Sequence, residues 1–148
     1  MPPLKPNVLV LCTGNSARSQ IGEALLRHHA GDRFEVFSAG IEPKGINPYT
    51  IRVMQERGID ISQQWSKSTK EYMGKKFFRY LITVCGHADQ NCPAALWANG
   101  GQRMHWPFED PAAVEGSDED KLAAFRTARD QIEARVLAWL RELEGQPA

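Results

Sequence analysis

The chain has 148 residues, with 18 basic and 18 acidic side chains and a formal net charge of zero. This length fits one domain that can bury a hydrophobic core without disulfide bonds. The balanced charge gives no reason to expect nucleic acid or an anionic membrane as a partner. No apolar run approaches the length of a membrane span, and residues 1–6, with three prolines, lack the apolar segment of a secretion signal. We expect a single, monomeric, cytoplasmic domain over residues 1–148, with an irregular tail at 1–6.

A strand, a helix and a second strand are predicted at the start of the chain. Residues 7–11 form a short apolar run that is typical of a buried strand, and a helical pattern over residues 16–30 ends at Gly31. Residues 34–39 alternate between two sets of side chains, which predicts a second strand. Because a helix connects the two strands, they should be parallel, with a right-handed crossover.

A second helix is predicted after the second strand. Asn47 followed by Pro48 is a strong start signal, because asparagine caps helices well and proline fits the first helical position. The helix should turn Ile51 and Met54 inward and stop at Gly58.

The second half of the chain contains two further predicted strands and a long helix. A minor helix near residues 68–74 precedes an apolar strand at 80–84, and residues 102–106 are a weaker fourth candidate. Ser117 and Asp120 have the spacing of a capping box. The helix that they open ends at Gly145, and its apolar face consists of Leu122, Phe125, Ala128, Ile132, Val136, Leu140 and Leu143. Alternating strands and helices predict an α/β sandwich around a parallel sheet.

The loop between the first strand and the first helix reads Cys12-Thr13-Gly14-Asn15-Ser16-Ala17-Arg18-Ser19. Backbone N–H groups of such a loop and of the first helical turn point at one centre, where the helix dipole also favours an anion. Arg18 adds a planar fork that matches two oxygens of a tetrahedral anion, and the positive potential favours a Cys12 thiolate. A buried cysteine in an ordinary turn is the alternative, but Arg18 and Ser19 favour an oxyanion site with a nucleophile.

The pattern Cys-x5-Arg-Ser in the first loop of a short chain resembles the low-molecular-weight protein tyrosine phosphatase family. The fuller pattern Cys-Thr-Gly-Asn-Ser-x-Arg-Ser-Gln is more similar to the arsenate reductase branch of this family. The resemblance covers nearly the whole chain, including residues 38–42, 45–48, 58–62 and 105–106. It implies a three-layer α/β/α sandwich with a four-stranded parallel sheet and helices on both faces. In such sheets ligands bind at the carboxyl ends of strands, where both Cys12 and Cys85 fall.

Two further cysteines, Cys85 and Cys92, lie seven positions apart, and Pro93 follows the second. This spacing does not match zinc sites, and only His87 is nearby as a further ligand. Two inert buried thiols are one alternative, and a redox pair is the other. A helix across them would hold their Cα atoms about 10 Å apart, beyond the limit of about 7 Å for a disulfide bond. Gly86 and Pro93 disfavour a stable helix there, as a switching segment requires.

The resemblance favours the redox pair. Thioredoxin-coupled arsenate reductases carry one cysteine in the loop and two in the pattern Cys-x6-Cys-Pro, which match Cys12, Cys85 and Cys92. The resemblance implies that Cys12 attacks arsenate bound by Arg18, that Cys85 then attacks Cys12, and that Cys92 finally attacks Cys85. Ser19 would orient or activate Cys12. Thioredoxin would reduce the last disulfide, with glutaredoxin or a low-molecular-weight thiol as alternative donors, and neither a metal nor a tightly bound cofactor is expected.

Asp110 belongs to the stretch Phe108-Glu109-Asp110-Pro111. A carboxylic acid near the Cys12 anion can protonate a leaving oxygen, although Asp-Pro is also common in turns. The general acid of the family is the aspartate of an Asp-Pro pair, so the resemblance implies this role for Asp110. The next residues are Ala112-Ala113-Val114, where phosphatases of the family carry tyrosines that flank an aromatic substrate.

The resemblance also implies a cation site beside the loop. Some relatives bind potassium there through an Asn, a Glu and a Ser, which match Asn15, Glu23 and Ser38. An expected aspartate is replaced by Lys67, so our hypothesis is that the Lys67 ammonium takes the place of the cation. A solvated surface lysine is the alternative.

Arsenate reduction is therefore the expected function, with phosphate or sulfate as analogues that bind the loop. A phosphatase acting on phosphotyrosine or small phosphate esters is the first alternative, and it would use Cys12, Arg18 and Asp110 without the two other cysteines. A non-catalytic regulator that binds oxyanions or arsenicals is the second alternative. It would leave the spacing of Cys85 and Cys92 without a purpose.

Overall fold

The computed structural model describes residues 5–96 and 100–145. Within these ranges four strands form one parallel sheet in the order β2-β1-β3-β4. The strands are β1 (Asn7–Cys12), β2 (Glu35–Gly40), β3 (Tyr80–Thr83) and β4 (Gln102–His105). The predicted α/β/α sandwich with a four-stranded parallel sheet is confirmed. Most of the predicted tail at 1–6 lies outside the described residues.

The helices are α1 (Arg18–Ala30), α2 (Pro48–Glu56), α3 (Gly86–Gln90) and α4 (Asp118–Glu144). Short 3₁₀ turns occur at Thr69–Glu71, Ala94–Leu96 and Pro111–Ala113, so the predicted minor helix near 68–74 is a single turn. Helix α1 begins two residues later than predicted, because Ala17 has the non-helical angles φ −129° and ψ −81°. None of the described helices is both long enough and apolar enough to cross a membrane.

Strand β1 is the centre of the hydrophobic core. It pairs with β2 on one side and with β3 on the other, and residues 8–11 are completely or almost completely buried. A strand that is covered on both faces has no solvated face, which explains why its sequence is a continuous apolar run rather than an alternating one. The buried strand holds the loop that follows it in a fixed position.

Helix α4 has the capping box that the sequence predicts. The Ser117 N–H donates to Asp120 Oδ2 at 3.0 Å, and the Asp120 N–H donates to Ser117 Oγ at 3.1 Å. The predicted apolar face is buried except for Leu143, which is half-buried near the end of the helix. Trp139 is also buried, although it was absent from the prediction, because its wide ring reaches the aromatic side chains Phe34, Tyr80 and Trp106.

The prediction for the inward face of α2 was partly wrong. Met54 is buried as predicted, but the side chain of Ile51 is 39% exposed. The buried positions are Thr50, Val53 and Met54, which have the i, i+3, i+4 spacing of one helix face, and Ile51 lies outside it.

The expectation that no stable helix forms between Cys85 and Cys92 was also wrong. Helix α3 occupies residues 86–90 and stops before Cys92. Cys85 caps this helix, because its Sγ accepts the Ala88 N–H at 3.4 Å. A Cβ atom on Gly86 would have no contact within 4 Å, so the space around this position does not require glycine.

Candidate active site

The loop from Cys12 to Arg18 is held against strand β2. Asn15 has a φ of +47°, in the left-handed region, which turns its backbone back toward Cys12. A Cβ atom on Gly40 would lie 2.7 Å from the Thr13 carbonyl oxygen and 2.8 Å from the Asn15 nitrogen. Only glycine at position 40 allows this close approach of two backbones, so the sheet sets the shape of the loop.

The Cys12 sulfur receives two polar contacts. The Asn15 N–H donates to Sγ at 3.2 Å, and Ser19 Oγ lies 2.8 Å from it. Because the Asn15 side-chain amide donates to Ser19 Oγ at 2.8 Å, the serine proton is free to point at the sulfur. Two donors aimed at one sulfur suit a nucleophile that carries negative charge.

The start of α1 is open to an anion. No described side chain caps its first turn, which leaves the first backbone N–H groups available at the end where the helix dipole is positive. The loop and this helix end face a cavity of about 370 Å³. Its lining residues are Cys12, Thr13, Gly14, Ser16, Ala17, Arg18, Lys44, His87, Asp110 and Ala112.

Arg18 and Asp110 meet at the edge of this cavity. Arg18 Nη1 donates to the Phe108 carbonyl at 3.0 Å, and Arg18 Nη2 lies 3.8 Å from Asp110 Oδ2. Asp110 also accepts the Ala112 N–H at 3.0 Å, which ties its carboxyl to the turn that follows. The structure therefore brings Asp110 to the pocket of Cys12, with a side chain that is 45% exposed and can exchange protons with water.

The structure places Cys85 beside the loop. Its buried Sγ lies 3.3 Å from Thr13 Oγ1, and the Val84 N–H donates to the Leu11 carbonyl at the end of β1. Cys92 lies beyond α3 and is half-buried, and burial raises the pKa of its thiol. The three cysteines are free thiols, so the structure corresponds to the reduced protein.

Helix α3, between these two cysteines, is attached to the sheet through Asp89. Thr83 Oγ1 donates to Asp89 Oδ1 at 2.9 Å, and Arg103 Nη2 donates to the same oxygen at 3.1 Å. His105 Nδ1 lies 2.8 Å from Thr83 Oγ1 and extends the cluster. Burial pushes the pKa of Asp89 up, but the donations from Thr83 and Arg103 outweigh it, and the net effect is a lowered pKa.

A second polar cluster lies behind the loop, on the side away from the cavity. Asn15 donates from its side-chain amide to Ser38 Oγ at 2.9 Å, and Ser38 Oγ donates to Glu23 Oε1 at 2.5 Å. Lys67 completes the cluster with Nζ 3.4 Å from Ser38 Oγ and 3.5 Å from Glu23 Oε1. The residues that were predicted to surround a cation are thus adjacent to one another.

Lys67 is buried, with 4% of its side chain exposed, so the alternative of a solvated surface lysine was wrong. Its Nζ also donates to the Trp65 carbonyl at 2.7 Å. Burial lowers the pKa of Lys67, and the nearby Glu23 carboxylate opposes this effect. Within the described ranges, no three His, Cys, Asp or Glu side chains are grouped in a way that could hold a metal ion.

Three pocket residues, His87, Lys44 and Ala112, were not predicted as site residues. His87 lines the cavity, and the sequence places it only two positions after Cys85, so its proximity to the strand end was a usable signal. Lys44 comes from the irregular segment after β2, where no pattern indicates a site. Asn15 was predicted both in the oxyanion loop and in the cation site. Its side chain is directed into the buried cluster, as predicted for the cation site, and its backbone N–H donates to Cys12 Sγ.

Fold and site together define an α/β protein in which a cysteine at the end of a central parallel strand faces a pocket lined by Arg18 and by the loop that follows the strand. The family model for low molecular weight phosphotyrosine protein phosphatase matches residues 7–148. The chain belongs to this family.

Individual relatives within the family are arsenate reductases. The arsenate reductase of Halalkalibacterium halodurans is 45% identical over 132 residues, which covers 89% of this chain and 93% of that protein. A solved structure of an arsenate reductase in the phosphate binding state has a TM-score of 0.76 and 30% identity, covering 93% of this chain and 98% of that one. A thioredoxin-dependent arsenate reductase of Corynebacterium glutamicum has a TM-score of 0.72 and 30% identity, covering 97% of this chain and 64% of that one.

Proposed function

We propose that this protein reduces arsenate to arsenite through a relay of Cys12, Cys85 and Cys92. The observation that carries the proposal is the position of Cys85, whose sulfur lies 3.3 Å from the Thr13 hydroxyl of the Cys12 loop. Ester hydrolysis needs no second thiol at this place. The similarity to arsenate reductases supports the same conclusion.

The first step is attack on arsenate in the pocket of about 370 Å³. Backbone N–H groups of the loop and Arg18 hold the oxyanion, and Ser19 orients Cys12. The Cys12 thiolate attacks arsenic, a sulfur–arsenic bond forms, and Asp110 protonates the oxygen that leaves as water. Arsenic is still pentavalent in this adduct.

The second step transfers two electrons to arsenic. The Cys85 thiolate attacks the Cys12 sulfur, so that a disulfide forms while the sulfur–arsenic bond breaks. The electron pair of that bond stays on arsenic, which leaves as arsenite. Two thiols have then become one disulfide, and arsenic has gone from the pentavalent to the trivalent state.

The third step frees Cys12 and requires a change of structure. Cys92 attacks Cys85 and takes over the disulfide, but α3 lies between the two cysteines. A disulfide needs its two Cα atoms within about 7 Å, and α3 separates Cys85 from Cys92 along the chain, so in this proposal α3 unwinds to let the two sulfurs meet. The unwound segment would present the new disulfide to thioredoxin. The similarity to a thioredoxin-dependent arsenate reductase supports thioredoxin as the electron donor.

We also propose that the protein is a monomer in the cytoplasm.

Lys67 has a structural role in this proposal. Its ammonium lies among Ser38, Glu23 and the Trp65 carbonyl, which are the kind of oxygen ligands that a potassium ion would use. The fixed cation holds Asn15 and Ser38 in place, and these residues hold the loop. Activity would then be independent of potassium.

Hydrolysis of small phosphate esters is a second candidate activity of the same pocket. Family membership favours it, since Cys12, Arg18 and Asp110 would perform it without the other cysteines. Ala112, rather than a tyrosine, lines the pocket, which removes an aromatic surface for a phosphotyrosine ring. We expect it to be a slow side reaction.

The test is arsenate-dependent oxidation of NADPH in the presence of thioredoxin and thioredoxin reductase. The wild type should turn over many times, while Cys85→Ser and Cys92→Ser should lose multiple turnover. Both variants should keep cleavage of p-nitrophenyl phosphate, which serves as the control for an intact pocket. Phosphate-ester cleavage without any arsenate-dependent NADPH oxidation in the wild type would overturn the proposal in favour of a phosphatase.

A further inference from the structure

A chain of three side chains connects the buried sulfur of Cys85 to solvent. Cys85 Sγ lies 3.3 Å from Thr13 Oγ1, and Thr13 Oγ1 lies 3.0 Å from His87 Nδ1. Cys85 is buried, whereas His87 is exposed and lines the cavity. Because only 6% of Cys85 is exposed, this chain of side chains offers its thiol proton a route to bulk water.

The hydrogen bonds have consistent directions before and after proton transfer. With a thiol, Cys85 donates to the Thr13 oxygen, and the Thr13 hydroxyl donates to His87 Nδ1. With a thiolate, His87 Nδ1–H donates to Thr13, and Thr13 donates to the sulfur. The Ala88 N–H also donates to Cys85 Sγ at 3.4 Å, which stabilises the anionic form further.

We propose that His87 takes up, through the Thr13 hydroxyl, the proton that Cys85 loses before it attacks Cys12. This role rests on the proposed arsenate reduction, because only that reaction requires a nucleophilic Cys85. The thiol proton moves to Thr13 Oγ1 as the hydroxyl proton moves to His87 Nδ1. The resulting imidazolium releases its Nε2 proton to water. Cys85 is left as a thiolate, and no oxidant or reductant is needed.

His87 shares its cavity with several titratable or charged groups. These are Cys12, Arg18, Lys44 and Asp110, and Cys85 faces His87 through Thr13. Because His87 is exposed, a proton that it takes up can pass to water. His87 acts on Cys85 through Thr13 and does not contact arsenic, so it is a positioning residue rather than a catalytic one.

Cysteine alkylation tests this proposal without arsenate. In the Cys92→Ser background, trypsin separates the peptide of Cys12 from that of Cys85, and iodoacetamide labelling of each is followed by mass spectrometry from pH 6 to 9. We expect His87→Asn to slow labelling of Cys85 roughly tenfold near pH 7.5 and to change its pH profile, while labelling of Cys12 is unchanged. His28→Asn, also an exposed histidine, is the matched control.

A double-mutant comparison isolates the path through Thr13. Thr13→Val should slow Cys85 labelling as much as His87→Asn does, and the double variant should be no slower than Thr13→Val alone. Additive effects would overturn the proposed path. Identical Cys85 pH profiles for His87→Asn and His28→Asn would overturn the role of His87 altogether.

Single-turnover release of arsenite then links the path to the reaction. His87→Asn should slow the release by the same factor as Cys85 labelling, and raising the pH should restore part of the loss. If the wild type releases no arsenite while Cys85 labelling depends on His87, the proposal of arsenate reduction is overturned and the proposed proton path is retained. If the wild type releases arsenite and His87→Asn does so equally fast at every pH, the proton path fails and the reduction stands.

Discussion

At the scale of single residues, Asn15 connects the nucleophile to the buried cluster behind it. Its backbone N–H donates to Cys12 Sγ, while its side chain donates to both Ser19 and Ser38. Its Oδ1 accepts the Lys67 N–H at 2.8 Å. A buried amide with its partners satisfied is rigid, because loss of any one bond leaves an unpaired polar group inside the protein. The position of the reactive sulfur therefore depends on residues that never contact a substrate.

Lys67 gives a prediction about monovalent cations. Rates of arsenate reduction by the wild type should be equal in sodium and potassium buffers, because the ammonium already occupies the centre of the oxygen cluster. Lys67→Asp removes this charge. With potassium but not with sodium, its Tm should rise by several degrees and its kcat/KM should rise several-fold. Lys70→Asp, at an exposed lysine three residues away, is the control and should show no such difference. A several-fold activation of the wild type by potassium would contradict this role.

At the scale of elements, α3 is the part of the site that the proposed relay requires to move, and it is a short helix with one buried residue. It has five residues, and only Ala88 among them is buried. Asp89 attaches it to β3 and β4 through Thr83 and Arg103. A short helix with little buried surface opens at low free-energy cost, which suits the unwinding that the proposed relay requires.

Asp89→Asn should loosen this attachment. An amide cannot form the ion pair with Arg103, so we expect amide hydrogen exchange in residues 86–92 to become roughly three- to tenfold faster. The Cys85 and Cys92 thiols should also be oxidised to a disulfide faster by diamide. Asp32→Asn, at an exposed aspartate on the loop after α1, should leave both rates unchanged. Unchanged exchange in residues 86–92 of Asp89→Asn would show that other contacts hold α3.

Helices α2 and α4 are joined by a charge cluster that makes a pH prediction. Hydrogen bonds from Arg126, together with those from Arg129, lower the pKa of Glu56 from 4.5 to about 2. Because the folded-state pKa is depressed, the stabilisation is present above pH 4.5 and is lost as the pH falls toward 2. Glu56→Gln should lower Tm at pH 7, and its difference from the wild type should shrink across this window. A difference that persists undiminished at pH 2 would contradict a charge effect.

At the scale of the whole molecule, an aromatic cluster holds α4 against the sheet. The ring centroid of Trp139 lies 5.6 Å from that of Phe34, 5.0 Å from that of Tyr80 and 5.7 Å from that of Trp106. These residues come from β3, from α4 and from the segments next to β2 and β4, so they connect distant parts of the chain. Buried aromatic rings contribute both apolar area and favourable ring geometry. The cluster stabilises the sheet that positions the Cys12 loop and Cys85.

Trp139→Ala should therefore affect stability much more than chemistry. Removing a buried tryptophan costs about 3–5 kcal/mol in the free energy of unfolding, which urea titration can measure. Phe77→Ala, at an aromatic side chain that is 48% exposed, is the control and should change it by about 0.5 kcal/mol or less. The folded fraction of Trp139→Ala should reduce arsenate at nearly the wild-type rate. A loss below 1 kcal/mol would show that the cluster can be repacked.

The order of elements and the chemistry of the loop could be predicted because they depend on neighbours a few residues apart. The apolar run of β1, the capping box at Ser117 and the loop from Cys12 to Ser19 are patterns of this kind. The spacing of Cys85 and Cys92, together with the resemblance, also led to the hypothesis of a relay. Helix faces were less certain, as the exposed Ile51 shows.

By itself, the sequence determined the four strands, helices α1, α2 and α4, the cysteine and arginine of the first loop, and the presence of two further thiols. Only the tertiary structure decided that Lys67 is buried against Glu23. It also decided that Thr13 lies between Cys85 and His87, although Thr13 and His87 are 74 positions apart in the sequence. The physical reason is the sheet order β2-β1-β3-β4, which brings the ends of β1 and β3 side by side. Hydrophobic burial selects that order from the whole chain at once, and no local pattern contains it.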